Sequence, residues 1–423
     1  LYRAHGATVT ELMKGQGTMS KRKIQSYEFD GVLLGVVVIL LVYGFLALYS
    51  ATFYVGDILW HKQLAWIGLS VVAGYATFRI PYPVWQKLAL LMMALNLLVL
   101  LVTVLFAKPS LGATRGLVDL SESTRDLGSL FGLGSSIQPG VTARLVAVIY
   151  IAAWLASKGD QLNKVKYGLF PFGIIIGLVA GLVMLQPDLS TALLIAVTGV
   201  AMFFFAGGDP IQIFLSLIIG GGTFGVLAWN MPHARERLEN YIRSLTDPEA
   251  MTYQVRRSVQ AISQGGIFGE GLGNGRMKFG YLPVTWTDSI FAVVGEEGGL
   301  IACLLVLALF VVFAYRGYRV TLSTPDAFGS LVVFGITTMV LTEALMNVLV
   351  MTGLFPPTGT ALPFFSYGGT QMLMTLAGVG LMLGVSRGRP KGDWNAALDR
   401  WWRDRRTRLS RSGRRAGIAR HRA

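Results

Sequence analysis

A chain of 423 residues that is 53% hydrophobic and only 14% charged is not a soluble globule. Its mean hydropathy is positive, and the composition reads as an all-α polytopic membrane protein. The formal net charge of +14 is then a topological signal, because basic residues collect on cytoplasmic loops.

In chain order, the first 30 residues are polar and lack the short apolar stretch and small-residue cleavage site of a removable signal peptide. Apolar runs follow at about 32–50, 64–78, 88–107, 142–156, 169–185, 189–207, 211–229, 289–315, 328–352 and 371–385. A bilayer core needs roughly 20 residues per helix. The runs predict about ten transmembrane helices in a membrane domain over 32–386, flanked by a cytoplasmic segment 1–31 and a basic cytoplasmic tail 387–423. Ten crossings return the carboxyl terminus to the side of the amino terminus. Basic residues agree that this side is the cytoplasm: Lys21, Arg22 and Lys23 precede the first run, and Arg79, Lys87, Lys158, Lys164, Lys166, Arg316 and Arg319 fall on inner loops. The tail carries thirteen Lys and Arg against three Asp. It suits anionic membrane lipid, or alternatively a cytoplasmic docking partner.

Two predicted extracytoplasmic connections, 108–141 and 230–288, are too long to be turns. The second is aromatic and basic, and "ARERLENYIRSL" and "YQVRRSVQAISQ" within it predict short amphipathic helices at the membrane surface. Such a roof over a cavity suits an anionic amphiphile with a lipid tail and a phosphate head. Arg256, Arg257 and Lys278 are its candidate phosphate ligands, although loop charges also serve simply to keep a loop solvated. "GGIFGEGLGNGRMKFG" (265–280) lacks the strand-to-helix setting of a nucleotide loop, so no nucleotide cofactor is expected, nor a nucleic-acid partner. His5, His61, His233 and His421 are too scattered for a zinc site, and the lone Cys303 excludes an internal disulfide.

Asp288, at the head of an apolar run in "TWTDSIF", reads as a helix cap or as a catalytic acid. Glu296 and Glu297 fall roughly 12 to 14 Å deeper at the helical rise. They read as a polar lining or a structural pair. Arg144, Asp188, Glu343 and Asn347 are the other polar groups in apolar surroundings, the last two sharing a helix face by their four-residue spacing. "LFPPTGTALPFFSYGGTQ" (354–371), with Ser366 and Tyr367, must line protein or water, because its prolines and glycines do not suit a lipid-exposed helix.

Taken together, "QGGIFGEGLGNGRMKFGYLPVTWTDSIFAVVGEEGG", "LQPDLSTA" and "NVLVMTGLFPPTGTALPFFSYGGT" resemble the SEDS proteins (shape, elongation, division and sporulation), which include RodA and FtsW. The likeness runs from about residue 27 to 386, and the glycine before "EEGG" and the long tails lean towards the FtsW type. The resemblance implies an inverting peptidoglycan glycosyltransferase in the bacterial cytoplasmic membrane, polymerising lipid II at its outer face with a class B penicillin-binding protein for division or elongation. It implies that Asp288 is the catalytic acid residue, acting as base on the attacking hydroxyl. Arg256, Arg257, Lys278, Tyr281, Ser366 and Tyr367 are then expected to bind substrate, with Arg144, Asp188, Glu343 and Asn347 lining the cavity. A divalent cation, Mg2+ or Mn2+, is an alternative to the basic residues for stabilising charge on the diphosphate. Val141 replaces the glutamate of the family's "QPSE" motif while Arg144 keeps its base, so Arg144 needs another counter-ion, with Asp188 and Glu343 the candidates. Trp286 replaces a histidine often found before "TD". A lipid II flippase and a non-enzymatic scaffold for a penicillin-binding protein are the competing readings.

Overall fold

The computed structural model describes residues 29–56, 58–106 and 138–387. Twelve α-helices make up most of these residues: α1 (Gly31–Thr52), α2 (Ile58–Arg79), α3 (Tyr82–Phe106), α4 (Pro139–Lys158), α5 (Leu169–Met184), α6 (Leu189–Phe205), α7 (Pro210–Trp229), α8 (Pro232–Ser244), α9 (Tyr253–Gly265), α10 (Ile290–Ser323), α11 (Ala327–Met351) and α12 (Gly369–Ser386). Among the described residues seven helices, α1, α3, α4, α7, α10, α11 and α12, are long and apolar enough to cross a membrane. Two further apolar helices, α5 and α6, are shorter. The architecture is an all-α polytopic membrane fold.

The start of four of these helices is written locally. Asp30, Asp188, Asp209 and Asp326 each precede a helix and accept a backbone N–H of its first turn, from Leu33, Thr191, Ile211 and Gly329 respectively. An aspartate there satisfies an orphan donor and complements the helix dipole. The α10 helix differs: the position before it is Ser289, which makes no side-chain cap bond, and Asp288 stands one residue further out. The structure therefore gives Asp288 a place outside the cap position that its sequence context suggests.

Packing is tightest where side chains are smallest. A Cβ on Gly380 of α12 would overlap the backbone of Gly74 on α2, and Thr77 donates across the same seam to the Ala377 carbonyl at 2.8 Å. Small residues let helix backbones approach when lipid offers no hydrophobic drive to associate. The α11 helix is central, with 78% of its apolar window buried, whereas α7 is peripheral at 6%. At one end of the bundle, Arg316 of α10 donates to Asp30, whose own N–H donates to Ser386 of α12. The opposite end gathers the close of α1, the starts of α10 and α12, and the segments 230–289 and 352–368.

Several boundaries depart from the apolar runs. The run at 289–315 continues as helix to Ser323, so Arg316 and Arg319, expected on an inner loop, are helical, as arginine's high helix propensity allows. The expected loop 108–141 lies outside the described residues up to 137, and its last three residues belong to α4. The two amphipathic helices expected in 230–288 are α8 and α9. Of the flanking segments 1–31 and 387–423, all but residues 29–31 and 387 lie outside the described residues.

Candidate active site

The two acids of "EEGG" form a break in α10. Gly299 has φ 64° and ψ −165°, which interrupts the helix and leaves backbone groups without intrahelical partners. The glycine-rich loop after α9 supplies them. Glu270 and Gly271 donate N–H to the carbonyls of Glu296 and Glu297, both at 3.0 Å, while Leu300 and Ile301 donate to Gly266 and Ile267. Broken helices persist in a membrane protein only where such bonds are restored. The glycines are needed for closeness: a Cβ on Gly265 or Gly269 would overlap the carbonyls of Gly295 and Glu297.

The side chains of the same acids lock the loop. Glu296 Oε1 accepts the backbone N–H groups of Arg276 and Met277 at 2.6 and 2.9 Å. Glu297 accepts Lys278 Nζ at 2.6 Å and the Ser50 hydroxyl of α1. The Lys278 side chain is wholly buried, and its ammonium also lies over the Phe53 and Phe279 rings.

From this anchored loop the chain turns into Asp288. Thr287 and Ser289 both donate N–H to the Val284 carbonyl, and Val284 itself has φ 51°. A β-branched residue in that region is strained, and such strain concentrates where neighbours over-determine the backbone. Here the neighbours are identifiable. Asn347 of α11 donates from one amide nitrogen to the Asp288 carbonyl at 2.8 Å and to the Thr360 carbonyl at 2.7 Å. Ser366 donates to the Thr287 carbonyl and accepts Leu362 N–H, and Tyr367 N–H donates to the Trp286 carbonyl at 2.7 Å. The backbone of Trp286 and Thr287 is thus tied directly to the segment 354–368, and that of Asp288 is tied to it through Asn347.

Asp288 lines a cavity of about 310 Å³ together with Arg144, Asp188, Thr287, Tyr367, Gln371, Gln138 and Trp66. Among the described residues, Arg144 is its only Lys or Arg. Arg144 is ion-paired with Glu343 of α11, which also accepts Gln371 Nε2 at 3.2 Å. Glu343 is therefore the partner that replaces the motif glutamate, while the Val141 side chain is buried. Asp188 accepts Ser190 Oγ and Thr191 N–H, which keeps its carboxylate at the head of α6 on the cavity wall. Burial pushes the Tyr367 phenol above the usual tyrosine range, so it stays a neutral donor.

The structure divides the expected site residues. Asp288, Arg144, Asp188 and Tyr367 meet at the cavity. Ser366, Asn347 and Glu343 are buried behind it and hold what faces it. Arg256, Arg257, Lys278 and Tyr281 are not among its lining residues. Arg256 pairs with Glu249, and Arg257 bonds Gln260 and lies over the Tyr253 ring. Tyr281 is exposed and accepts the Tyr253 hydroxyl through its carbonyl. The lining also includes Trp66, Gln138 and Gln371, which no sequence signal singles out as site residues. Gln138 and Gln371 sit inside motifs quoted for other residues, and only their polarity beside an apolar run marks them.

Comparison with known proteins agrees with this architecture. The cell cycle protein model covering FtsW, RodA and SpoVE matches residues 31–391. Stage V sporulation protein E of Bacillus subtilis (strain 168) is 33% identical over 367 residues, covering 85% of this chain and 97% of its own length. The probable peptidoglycan glycosyltransferase FtsW of Trichlorobacter lovleyi is 32% identical over 368 residues, covering 85% of this chain and 94% of its own. In fold, the chain is similar to a chain of a peptidoglycan synthase complex, with TM-score 0.68 at 24% identity over 86% of this chain and 99% of the other. With its motifs, fold and nearly full-length relatives in agreement, the chain belongs to the FtsW, RodA and SpoVE family of cell cycle proteins, the SEDS family.

Proposed function

We propose that this chain is a peptidoglycan glycosyltransferase that polymerises lipid II into glycan strands at the outer face of the bacterial cytoplasmic membrane. The observation that carries the reading is the placement of Asp288 on a polar cavity shared with Arg144, at the mouth of the helix bundle. A carboxylate there is suited to take the proton of a sugar hydroxyl, and a guanidinium to receive phosphate oxygens.

In the reaction, the 4-hydroxyl of one lipid-linked disaccharide attacks the anomeric carbon of another, and undecaprenyl diphosphate leaves. Diphosphate departs without protonation by a general acid, so a single base suffices, unlike glycoside hydrolysis with its two carboxyl groups. Asp288 takes the hydroxyl proton, and in-line attack inverts the anomeric centre. Arg144, the cation at the cavity, stabilises charge on the departing diphosphate in the role first expected of Arg256, Arg257 and Lys278. Its pairing with Glu343 fixes where that charge is presented. Asp188 and Asp288 supply two carboxylates to the cavity, and among the described residues no group of three or more potential metal ligands occurs. With Asp288 kept for the base, Asp188 would be the carboxylate to hold a Mg2+ or Mn2+ ion that takes its remaining ligands from diphosphate and water, and such an ion would add charge neutralisation there.

Ten crossings follow if α2, α5 and α6 join the seven long apolar helices. The basic segments 1–31 and 387–423 then lie in the cytoplasm and Asp288 faces outward. A class B penicillin-binding protein is the proposed partner. The reading is tested by incubating the purified chain and that partner with lipid II in detergent and resolving the products. A ladder of glycan strands is expected; none from an intact complex would shift the assignment to transport or scaffolding.

A further inference from the structure

Trp66 lies on α2, remote in sequence from every motif above, yet it lines the cavity with Asp288. Its ring rests on the backbone of Gly369, the first residue of α12: a Cβ there would overlap Cδ2, Cε2 and Cζ2 of the indole. The seat is rigid, because α2 and α12 are the helices joined through Gly74, Gly380 and the Thr77 bond to Ala377. The ring's cavity neighbours are polar. Gln371, two residues beyond Gly369, commits its Nε2 to Glu343 and so presents its carbonyl oxygen, while Gln138 and Thr370 border the same space. A tryptophan of the interfacial belt has lipid headgroups before it. This one shares its cavity with two carboxylates, a guanidinium and two amides.

A rigid aromatic face bordered by amides and hydroxyls is chemistry that recognises a pyranose. The ring's negative face attracts the C–H groups of a sugar's apolar side, and the amides meet its hydroxyl and acetamido groups. We propose that Trp66 is the stacking platform for one hexosamine ring of the lipid-linked substrate, holding that sugar within reach of Asp288. The proposal rests on the glycosyltransferase reading of this cavity, and it separates recognition of the sugar from recognition of the diphosphate, which falls to Arg144.

The test is equilibrium binding of two ligands, lipid II and undecaprenyl diphosphate, to the full chain in detergent, compared among native protein, Trp66→Leu and Trp66→Phe. Trp66→Leu is expected to bind lipid II about tenfold more weakly while its affinity for undecaprenyl diphosphate stays within about twofold. Trp66→Phe, which keeps an aromatic face on Gly369, should recover most of the loss. Should the leucine variant unfold, Trp66→Met, flexible enough to fill the seat, carries the same expectation. Native lipid II affinity in the leucine or methionine variant, or equal weakening for both ligands, overturns the proposal. Binding needs no turnover, so the two ideas fail separately. Glycan synthesis with Trp66-independent binding sinks only the platform, and Trp66-dependent binding without glycan sinks only the transferase.

Discussion

The guanidinium of Arg144 is paired with the carboxylate of Glu343, 199 positions away in the chain, so the cavity's cation arrives already held by a buried anion. The two side chains are 11% and 3% exposed, which leaves little water to replace a lost partner. Glu343→Ala should therefore destabilise the protein by about 3 to 5 kcal/mol, the usual cost of stranding one member of a buried pair. Thermal unfolding in detergent measures this, and Glu343→Gln, which keeps a hydrogen-bond acceptor, should lose less. Unchanged stability in Glu343→Ala would show that the pair carries no structural weight.

Lys278 separates two accounts of the basic loop. Sealed against Glu297 and Ser50, it should behave as a structural residue. Lys278→Met is expected to lower stability by about 3 kcal/mol or more, with Lys278→Met/Glu297→Met losing less than the sum of the single changes. KM for lipid II in the folded fraction should hold. A raised KM at unchanged stability would instead return Lys278 to the substrate.

The break at Gly299 makes an ordering of glycine substitutions. Gly266 has φ 54° and ψ −138°, a backbone conformation essentially restricted to glycine, but open space around a Cβ, so Gly266→Ala should cost only that backbone strain, about 1 to 3 kcal/mol. Gly269→Ala meets the Glu297 carbonyl as well, and should cost clearly more and displace the loop that leads to Asp288. Unfolding midpoints for the two variants check the order, and the reverse order would contradict the stitched geometry.

Tyr367 has a pH signature. Its folded-state pKa is raised by burial above the usual 10. Its protonated form is favoured on folding, so the group's contribution is intact below the unfolded pKa and is lost as pH rises above it. The activity profile between about pH 6 and 9 should keep its shape in Tyr367→Phe. An alkaline limb that disappears in that variant would show the phenol titrating within the working range.

Much of the fold is legible in hydropathy alone, because a lipid-facing helix must be apolar along most of its length. The runs near 32–50 and 328–352 match α1 and α11 closely. The second run, 64–78, falls short of α2, since His61 and Lys62 dilute its first turns. At the site, Asp288, Arg144 and Asp188 are marked by being charged where their neighbours are not. What local sequence does not carry is partnership across the chain. Nothing beside Lys278 says that its charge is spent on Glu297, and nothing beside Asn347 says that it holds the Asp288 carbonyl. Trp66 looks like one more aromatic in an apolar helix until Gly369 and the cavity are set around it. The "EEGG" sequence did hold a readable signal, because two acids followed by two glycines inside an apolar run cannot continue a lipid-exposed helix unchanged.

Whether Asp288 is the base of a glycosyl transfer is decided by glycan synthesis from lipid II with native and Asp288→Asn proteins, each in complex with the penicillin-binding partner and matched for thermal stability. Asp288→Asn should bind lipid II as the native protein does but form strands about 10² to 10⁴ times more slowly. Strand synthesis at the native rate by a folded Asp288→Asn complex would contradict that role for Asp288.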